Sequence, residues 1–342
     1  MTSEPRRIAW LVYGSIEQVS GGYIYDRLVV ERLREQGDTV TVVSLTPGTP
    51  SDSLPAFHRD EFDVLVGDEL CFRELLPIFQ RSQGPRRVLL IHHLTAWEHP
   101  PGAERDAALA LEKAVIDAAD ACVATSHVTA DRLRRDGVTR RVEVAEPGAD
   151  RLPRSQTGGQ EPSGSLLRLL FVGNILQRKR VLELVQAFTR LPTSHVELVL
   201  VGAELEPAYA AEVRGAVTAA GLTGRVRFLG SLPAADVSEQ LALADALVLP
   251  SALEGYGMVL SEALWASVPV IAARVGAAEK LIGETGAGLL FEADDAAALG
   301  AALSTFVSDA KLRLKLRRAA WNAAETLPRW RNTALSLRAC FK

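Results

Sequence analysis

The chain has 342 residues, a hydrophobic fraction of 48% and a formal net charge of −4. This length favours two domains, and the apolar fraction is ample for two hydrophobic cores. Basic and acidic residues are interspersed, which excludes a large nucleic-acid-binding face, and no apolar run approaches the roughly 18 residues of a membrane span.

The first part of the sequence alternates short apolar runs with helical patterns, which is typical of a doubly wound parallel sheet. Strands are predicted at 7–13, 40–44, 62–66, 87–91, 121–125 and 142–145, and helices at 23–36, 71–81, 103–119 and from Ser126 onward. Gly21 and Gly22 precede the first helix without forming the Gly-x-Gly-x-x-Gly pattern of nicotinamide dinucleotide sites. They either begin the helix or let a ligand approach the backbone closely.

Three histidines, His92, His93 and His99, follow the strand predicted at 87–91. Open α/β sheets bind ligands at the carboxyl ends of their strands, so a catalytic or substrate-contacting histidine is expected here. Histidines that only shape the loop are the alternative. Their spacing lacks the helical i, i+4 geometry and the fourth ligand of a zinc site, so we expect no metal.

Residues 146–165 are the part of the chain richest in Pro, Gly and Ser, which indicates a linker. We therefore predict an N-terminal domain at 1–148, a linker at 149–165 and a C-terminal domain at 166–325. A C-terminal helical segment at 326–342 would remain, with packing against the N-terminal domain as one option.

The second domain repeats the alternation of strands and helices. Strands are predicted at 167–172, 196–201, 226–229, 246–249, 270–272 and 288–291, and helices at 181–190, 207–220, 234–243, 258–267, 277–282, 294–306 and beyond 309. The predicted fold class is α/β, with two doubly wound Rossmann-like domains that face each other across a cleft and bind ligands beyond their strand ends.

A basic loop and a glycine turn stand out in the second domain. Arg178, Lys179 and Arg180 lie between a strand and a helix, where cations suit a diphosphate, although a solvated basic loop is the alternative. The glycine turn separates Glu254 from Glu262 and opens a helix whose N-terminus attracts phosphate. Glu262 is surrounded in sequence by apolar residues, an unusual place for a charge without a partner. The alternative is a tight turn with two surface glutamates.

These motifs together resemble the family-4 retaining glycosyltransferases of the GT-B fold. The stretch Glu254-Gly-Tyr-Gly-Met-Val-Leu-Ser-Glu262 resembles the Glu-x7-Glu motif of that family, and residues 171–179 resemble its diphosphate loop. Further segments resemble the family at 144–150, 226–230 and 244–251, and, more weakly, at Gly21-Gly22 and the strand ending before His92.

The resemblance implies a hexosyltransferase that uses a nucleotide-sugar donor, UDP-linked, without a cofactor or metal. It implies that Glu262 holds the ribose hydroxyls, that Glu254 lies at the transferred sugar and that Lys179 neutralises the diphosphate. Arg178 would replace an arginine that often follows the loop glycine, where this chain has Asn174. The implied catalytic residues are His92, Glu254, Lys179 and Arg178, and the implied donor-binding residues are Gly21, Gly22, Gly173, Asn174, Arg178, Lys179, Gly230, Glu254, Gly255, Tyr256, Gly257, Met258, Val259 and Glu262.

The resemblance also implies retention of anomeric configuration by front-side attack. No Asp-x-Asp occurs in the sequence, which disfavours the metal-dependent glycosyltransferase fold. A glycoside hydrolase would need two carboxylates flanking the scissile bond, whereas these glutamates better suit a nucleotide. Two alternatives stay open: a catalytically silent nucleotide-sugar-binding regulator, and another GT-B enzyme such as a sugar-nucleotide epimerase.

The expected partners are a nucleotide-sugar donor and a small-molecule, glycan or lipid-linked acceptor, with no nucleic acid. The basic segment 311–318 is either a membrane-surface helix, which would give peripheral membrane contact, or a solvated helix face. Three distant cysteines, Cys71, Cys122 and Cys340, and a beginning unlike a signal peptide favour reduced thiols and a cytoplasmic location.

Overall fold

The computed structural model describes residues 4–48, 61–80, 83–154, 166–191 and 195–342. The chain divides into two compact units, Met1–Gly148 with Pro328–Lys342, and Ala149–Leu327. Most of the predicted linker, residues 155–165, lies outside the described residues.

The first unit is built on a six-stranded parallel sheet. Its strands are β1 (Arg7–Tyr13), β2 (Thr39–Leu45), β3 (Val64–Asp68), β4 (Arg86–Ile91), β5 (Ala121–Ala124) and β6 (Val142–Val144), and its first four helices are α1 (Gly21–Glu35), α2 (Phe72–Phe79), α3 (Ala103–Ala118) and α4 (His127–Arg135). The strand order is β2-β1-β3-β4-β5-β6. Every residue of β3 is buried, as expected of a parallel strand covered on both faces.

The second unit contains another six-stranded parallel sheet. Its strands are β7 (Leu167–Val172), β8 (Val196–Val201), β9 (Val226–Gly230), β10 (Ala246–Leu249), β11 (Val270–Ala273) and β12 (Gly288–Phe291), and its helices are α5 (Val181–Thr189), α6 (Pro207–Ala219), α7 (Ala234–Leu243), α8 (Met258–Trp265), α9 (Ala296–Ser308) and α10 (Ala310–Ala323). The strand order is β12-β11-β10-β7-β8-β9. These two sheets with flanking helices confirm the predicted pair of Rossmann-like units.

Each sheet has a point at which the strand order reverses. In the first unit β1 lies between β2 and β3, and in the second β7 lies between β8 and β10. Doubly wound sheets bind ligands outside the carboxyl ends of the strands at such a point. The pairing of β7 with β10 therefore makes neighbours of the basic loop and the glycine turn, which follow these two strands.

The beginning of the predicted linker is structured and belongs to the second unit. Ala149 and Leu152 are buried in the hydrophobic core of that unit. The indole Nε1 of Trp265 donates a hydrogen bond of 2.7 Å to the carbonyl oxygen of Leu152. Residues 149–152, at the start of the predicted linker, thus pack with the second unit, because their apolar side chains are covered by its core.

The last residues of the chain belong to the first unit. Helix α11 (Trp330–Arg338) packs on α1, and Arg338 Nε donates to Asp38 Oδ2 at 2.7 Å. A Cβ atom at Gly148 would lie 2.1 Å from the backbone nitrogen of Trp330, so this close approach requires glycine. A smaller difference concerns the helix predicted at 277–282, which is a wider π-helical turn at Glu279–Gly283.

Candidate active site

Glu254 lies in the turn that connects β10 to α8, and this turn depends on glycines. Gly257, directly before α8, has a left-handed φ of 85°, which favours glycine. Gly276 also has a positive φ of 56°, and a Cβ atom there would lie 2.8 Å from Cβ of Glu254. The backbone of Ala277 donates to the carbonyl oxygen of Tyr256 at 3.0 Å. The loop after β11 therefore fixes the turn from the other side.

Lys179 and Glu254 form an ion pair at this turn. The Lys179 ammonium donates to Glu254 Oε1, and the two side chains are only 13% and 8% exposed. Burial by itself would raise the pKa of Glu254, but the charges of Lys179 and Arg178 outweigh it and lower this pKa below its ordinary value. Glu254 is therefore a carboxylate at neutral pH, held beside two cations.

The main chain of the basic loop is attached to the same turn. Lys179 ends a short 3-10 turn, and the backbone of Ala252 donates to the carbonyl oxygen of Arg178 at 2.8 Å. The Arg178 guanidinium donates to the carbonyl oxygen of Leu253 at 3.2 Å. Arg180 contacts a different part of the unit, since its guanidinium is 2.6 Å from Asp294. The structure thus brings two of the three predicted cations to Glu254 and places the third elsewhere.

Gly173 and Asn174 lie in a close crossing of the loops after β7 and β8. A Cβ atom at Gly202 would lie 1.9 Å from the Gly173 carbonyl oxygen, so Gly202 permits this crossing. The Asn174 side-chain oxygen accepts a hydrogen bond of 3.3 Å from the backbone of Ala203. Asn174 therefore shapes the loop, and the positive charge of this region comes from Arg178 and Lys179.

Glu262 has a partner that the sequence did not reveal. Arg151 Nε donates to Glu262 Oε1 at 2.7 Å, and the two side chains are 13% and 5% exposed. Arg151 stands in the segment that was predicted to be linker. Glu262 and Trp265 lie on the same helix, and both hold this segment, so α8 positions Arg151 through two contacts.

The remaining predicted donor-binding residues of the second unit occupy different places. Tyr256 is buried in the turn, and Met258 and Val259 are half-buried in the first turn of α8. Gly230 ends β9, two strands away from β7, with a left-handed φ of 68°. Gly255 lies between Glu254 and Tyr256, within the turn.

In the first unit, Gly22 makes room for His92. Gly21 and Gly22 begin α1, whose cap is Ser20. A Cβ atom at Gly22 would lie 3.3 Å from Cδ2 of His92 and 3.4 Å from its Nε2, whereas one at Gly21 would meet nothing within 4 Å. The two glycines therefore differ: Gly21 is a helix start, and Gly22 is matched to a histidine ring.

Groups from several elements of the first unit surround His92. Its backbone nitrogen donates to Glu69 Oε2 at 2.9 Å, and its ring Nε2 lies 3.2 Å from Asp26 Oδ1. The Tyr25 ring meets the imidazole edge-on, with centroids 5.2 Å apart. Burial lowers the pKa of His92, although the charge of Asp68 acts in the opposite direction. The ring is therefore neutral at physiological pH.

Two buried carboxyl groups next to His92 were missed by the sequence analysis. Asp26 lies on α1, and Asp68 is the last residue of β3. Burial raises the pKa of Asp26 to about 7, and burial together with the Asp26 charge raises that of Asp68 to about 7. Ligand atoms of Asp26, Asp68 and His92 lie within 4.8 Å of one another, a spacing short enough for a metal ion. Only the three-dimensional fold places these residues together.

The other two histidines of the loop do not converge on His92. His93 Nε2 is 2.8 Å from Glu98 Oε1, and His99 is exposed. The unusual density of histidines in this segment therefore marked the right loop, but only His92 is held in a buried cluster.

Helix α10 carries the basic segment considered for membrane contact. Arg317 is buried, and its guanidinium donates to the carbonyl oxygens of Ala244 at 2.7 Å and Ser267 at 3.2 Å. Arg313 donates to the carbonyl oxygen of Val307 at 2.8 Å. Two cations of the basic segment, Arg313 and Arg317, thus have structural contacts. Within the described residues, no helix combines the length and the apolar character needed to cross a membrane.

Two glycosyltransferase family models match different parts of the sequence. The family model described as "Glycosyl transferases group 1" matches residues 160–323, and the one described as "Glycosyltransferase Family 4" matches residues 55–151. A D-inositol 3-phosphate glycosyltransferase of Corynebacterium efficiens is 28% identical over 250 residues, which are 68% of this chain and 59% of that relative. The chain thus spans less than two thirds of the length of this curated relative.

Solved structures share the fold along nearly the whole chain. Sucrose-phosphate synthase from Thermosynechococcus elongatus superposes with a TM-score of 0.82 at 22% identity, covering 98% of both chains. Anabaena Alr3699/HepE, in complex with UDP and glucose, gives a TM-score of 0.80 at 18% identity, again with 98% of both chains covered. These likenesses confirm the predicted α/β class with two Rossmann-like units.

Proposed function

Because the chain belongs to the family-4 glycosyltransferases of the GT-B fold, we propose that it transfers a hexose from a UDP-linked donor to an acceptor hydroxyl with retention of configuration. The observation that carries this proposal is the buried Lys179–Glu254 ion pair at the start of α8. A structure of the same fold holds UDP and glucose, which supports the choice of donor.

Loss of the diphosphate is the step that the second unit is suited to assist. Negative charge develops on the leaving group while the anomeric carbon gains oxocarbenium character. The Lys179 ammonium, the Arg178 guanidinium and the N-terminus of α8 are positive groups that oppose this charge. On donor binding, Lys179 would turn from Glu254 towards the diphosphate. The Glu254 carboxylate, still beside Arg178, would then accept hydrogen bonds from hydroxyls of the transferred sugar.

Glu262 is proposed to bind the ribose of the nucleotide. A carboxylate accepts hydrogen bonds from two neighbouring hydroxyls, and the ion pair with Arg151 orients Glu262 in an apolar setting. His92, in the first unit, is proposed as a further catalytic residue. Retention would follow if the acceptor attacks on the face that the diphosphate leaves, and the departing phosphate takes the proton of the acceptor hydroxyl.

We propose that no metal ion takes part. Cations of the chain supply the charge that a divalent ion would otherwise provide at the diphosphate, and the sequence contains no Asp-x-Asp. For the acceptor, a small polyhydroxylated molecule is favoured by the name of the curated relative, with glycans and lipid-linked sugars as the wider class. The three free, buried cysteines agree with a cytoplasmic site of reaction.

A silent nucleotide-sugar-binding regulator and an epimerase remain the competing functions. Both would bind the same donor, so binding alone does not separate them from a transferase. The test is incubation of the protein with a panel of nucleotide sugars and a cell metabolite extract, followed by mass spectrometry. A new glycoside together with free UDP supports transfer, an altered sugar still attached to UDP supports epimerisation, and an unchanged donor supports the silent regulator.

Proton NMR of the glycoside tests the stereochemistry separately. The anomeric configuration of the product should equal that of the donor. The opposite configuration would remove the front-side mechanism while leaving the transferase assignment intact.

A further inference from the structure

Asp26 is a buried carboxyl group for which the proposed transfer chemistry has no use. Its side chain is inaccessible to solvent, and it lies between two nitrogen atoms of other side chains. Trp10 Nε1 donates to Asp26 Oδ2 at 3.1 Å, and His92 Nε2 lies 3.2 Å from Asp26 Oδ1. One carboxyl group thus joins β1, α1 and the loop after β4.

We propose that Asp26 is a positioning residue that fixes the orientation and the tautomer of the His92 ring. By engaging Nε2, Asp26 leaves Nδ1 as the ring nitrogen that can meet a ligand. The orientation and tautomer follow from the first unit alone, whereas the consequence for catalysis rests on the proposed function.

The surroundings of His92 leave its ring little rotational freedom. The Cδ2–Nε2 edge faces Gly22, where even a methyl group would be 3.3 Å away. Tyr25 covers the ring edge-on, and Glu69 holds the backbone nitrogen of His92. Within the described residues, Nδ1 makes no hydrogen bond, so the polar contact of the ring is the one to Asp26.

The hydrogen bond from Trp10 determines which oxygen of Asp26 is available to His92. An indole N–H only donates, so Oδ2 must accept from Trp10, and Oδ1 is the atom that faces His92, while Asp68 also hydrogen-bonds the Asp26 carboxyl group. When Asp26 is ionised, Oδ1 can only accept, and His92 must carry its proton on Nε2. The tautomer is then neutral Nε2–H, with a lone pair on Nδ1.

Other titratable groups lie close enough to influence this arrangement. Asp68 faces both Asp26 and His92, and Glu69 and Cys71 follow it on the next turn. Burial raises the pKa of each of these three groups, that of Asp68 to about 7, so Asp68 and Asp26 both change charge near neutral pH. The pH at which Asp26 becomes ionised therefore depends on Asp68 as well, and the tautomer is best measured above that range.

The test is nitrogen-15 NMR of the histidine rings in the full chain without nucleotide, at about pH 8.5, above the pKa of about 7 of Asp26 and Asp68. We expect a neutral Nε2–H tautomer for His92 in the wild type. In Asp26→Asn the amide oxygen must face Trp10, so the amide N–H would face Nε2 and drive the ring to Nδ1–H. Glu98→Gln, which alters the contact of His93, is the matched control and should leave the His92 signals unchanged.

The catalytic consequence is measured with the same variants. For Asp26→Asn we expect kcat to fall by about 10- to 100-fold, as for other partners that orient a histidine, with the donor KM nearly unchanged. Glu98→Gln should keep wild-type kcat. If Asp26→Asn does not fold, Gly22→Ala provides the second arm, because its methyl group crowds the Nε2 edge and should reduce the Nε2–H fraction.

Three results would overturn the proposal: an Nδ1–H ring in the wild type, a His92 tautomer unaffected by Asp26→Asn, or a stoichiometric metal ion in the purified protein that is lost in Asp26→Asn. An unchanged kcat in Asp26→Asn would overturn the catalytic consequence. The NMR measurement needs no turnover, so failure of the proposed transferase function would not be mistaken for failure of this inference.

Discussion

Arg151 Nε lies 2.7 Å from Glu262 Oε1, and both side chains are almost completely buried in the second unit. This contact joins the segment that begins the second unit to the helix that carries the proposed ribose-binding carboxylate. It explains how the Glu262 side chain is accommodated among apolar neighbours on α8. It also means that a bound ribose would share Glu262 with a cation that is already in place.

Breaking this ion pair from the Arg151 side should destabilise the protein. Arg151→Ala leaves a buried carboxylate without its counter-charge, which typically costs about 3–5 kcal/mol in the free energy of unfolding. The double variant Arg151→Ala, Glu262→Gln should recover much of that loss because no buried charge remains. Urea denaturation of the single and double variants measures this, and equal losses in both would show that the ion pair is not the cause.

Lys179 and the neighbouring Arg180 should behave differently when replaced by alanine. Lys179 is paired with Glu254 and is proposed to neutralise the diphosphate, so Lys179→Ala should lower kcat/KM for the donor by about 100-fold or more. Arg180 pairs with Asp294, which is 94% exposed, so Arg180→Ala should stay within about threefold of wild type. Steady-state kinetics of donor turnover provides the comparison. Similar losses in the two variants would indicate a general effect of the basic loop.

Replacing Glu254 and replacing Glu262 should change different kinetic parameters. Glu262→Ala should raise the donor KM by about tenfold or more while changing kcat little, because ribose contacts are equal in ground and transition states. Glu254→Ala should mainly lower kcat, since its contacts to the sugar matter as the sugar develops charge. Initial rates over a range of donor concentrations separate the two effects. The same pattern for both variants would contradict their separate roles.

The buried carboxyl groups near His92 should make stability depend on pH. Burial raises the pKa of Asp68 from 3.8 to about 7, so the folded state holds this proton more tightly than the unfolded state. The stability that this proton contributes is complete below the pKa of Asp68 in the unfolded state, and it is lost as pH rises towards the pKa in the folded state. When pH rises from about 5 to about 8, the free energy of unfolding of the wild type should therefore fall by about 2 kcal/mol more than that of Asp68→Asn.

Urea denaturation at the two pH values measures this difference. The lowered pKa of His92 costs stability as pH falls below the ordinary histidine range, so it opposes the carboxyl effect in acid. Comparing the variant with wild type cancels this opposing contribution. An identical pH dependence in both proteins would mean that Asp68 is ionised in the folded state throughout.

The sequence predicted strands and helices well because each has a clear period and clear ends. The run at 246–249, bounded by Pro250, indicated β10, and Ser126 indicated the start of α4, where its side chain indeed accepts from the backbone of Thr129. The glycine turn marked Glu254 and Glu262 because two carboxylates beside a helix start are unusual.

What the sequence could not provide are pairings between distant positions. Arg151 is separated from Glu262 by 111 positions, and Asp26 from His92 by 66. Nothing local distinguishes Arg151 in a segment rich in Pro and Gly, and Asp26 is one of several polar residues in the helix predicted at 23–36. Their roles depend on which strands become neighbours, a property of the whole sheet.

The most direct test of the proposed donor site is calorimetric titration of UDP into the wild type, into Lys179→Ala with Glu262→Gln, and into Arg180→Ala as control. The wild type and the control should bind UDP with similar affinity, and the double variant should bind it at least about 100-fold more weakly. Equal affinity in all three proteins would show that UDP does not bind at Lys179 and Glu262 and would contradict the account.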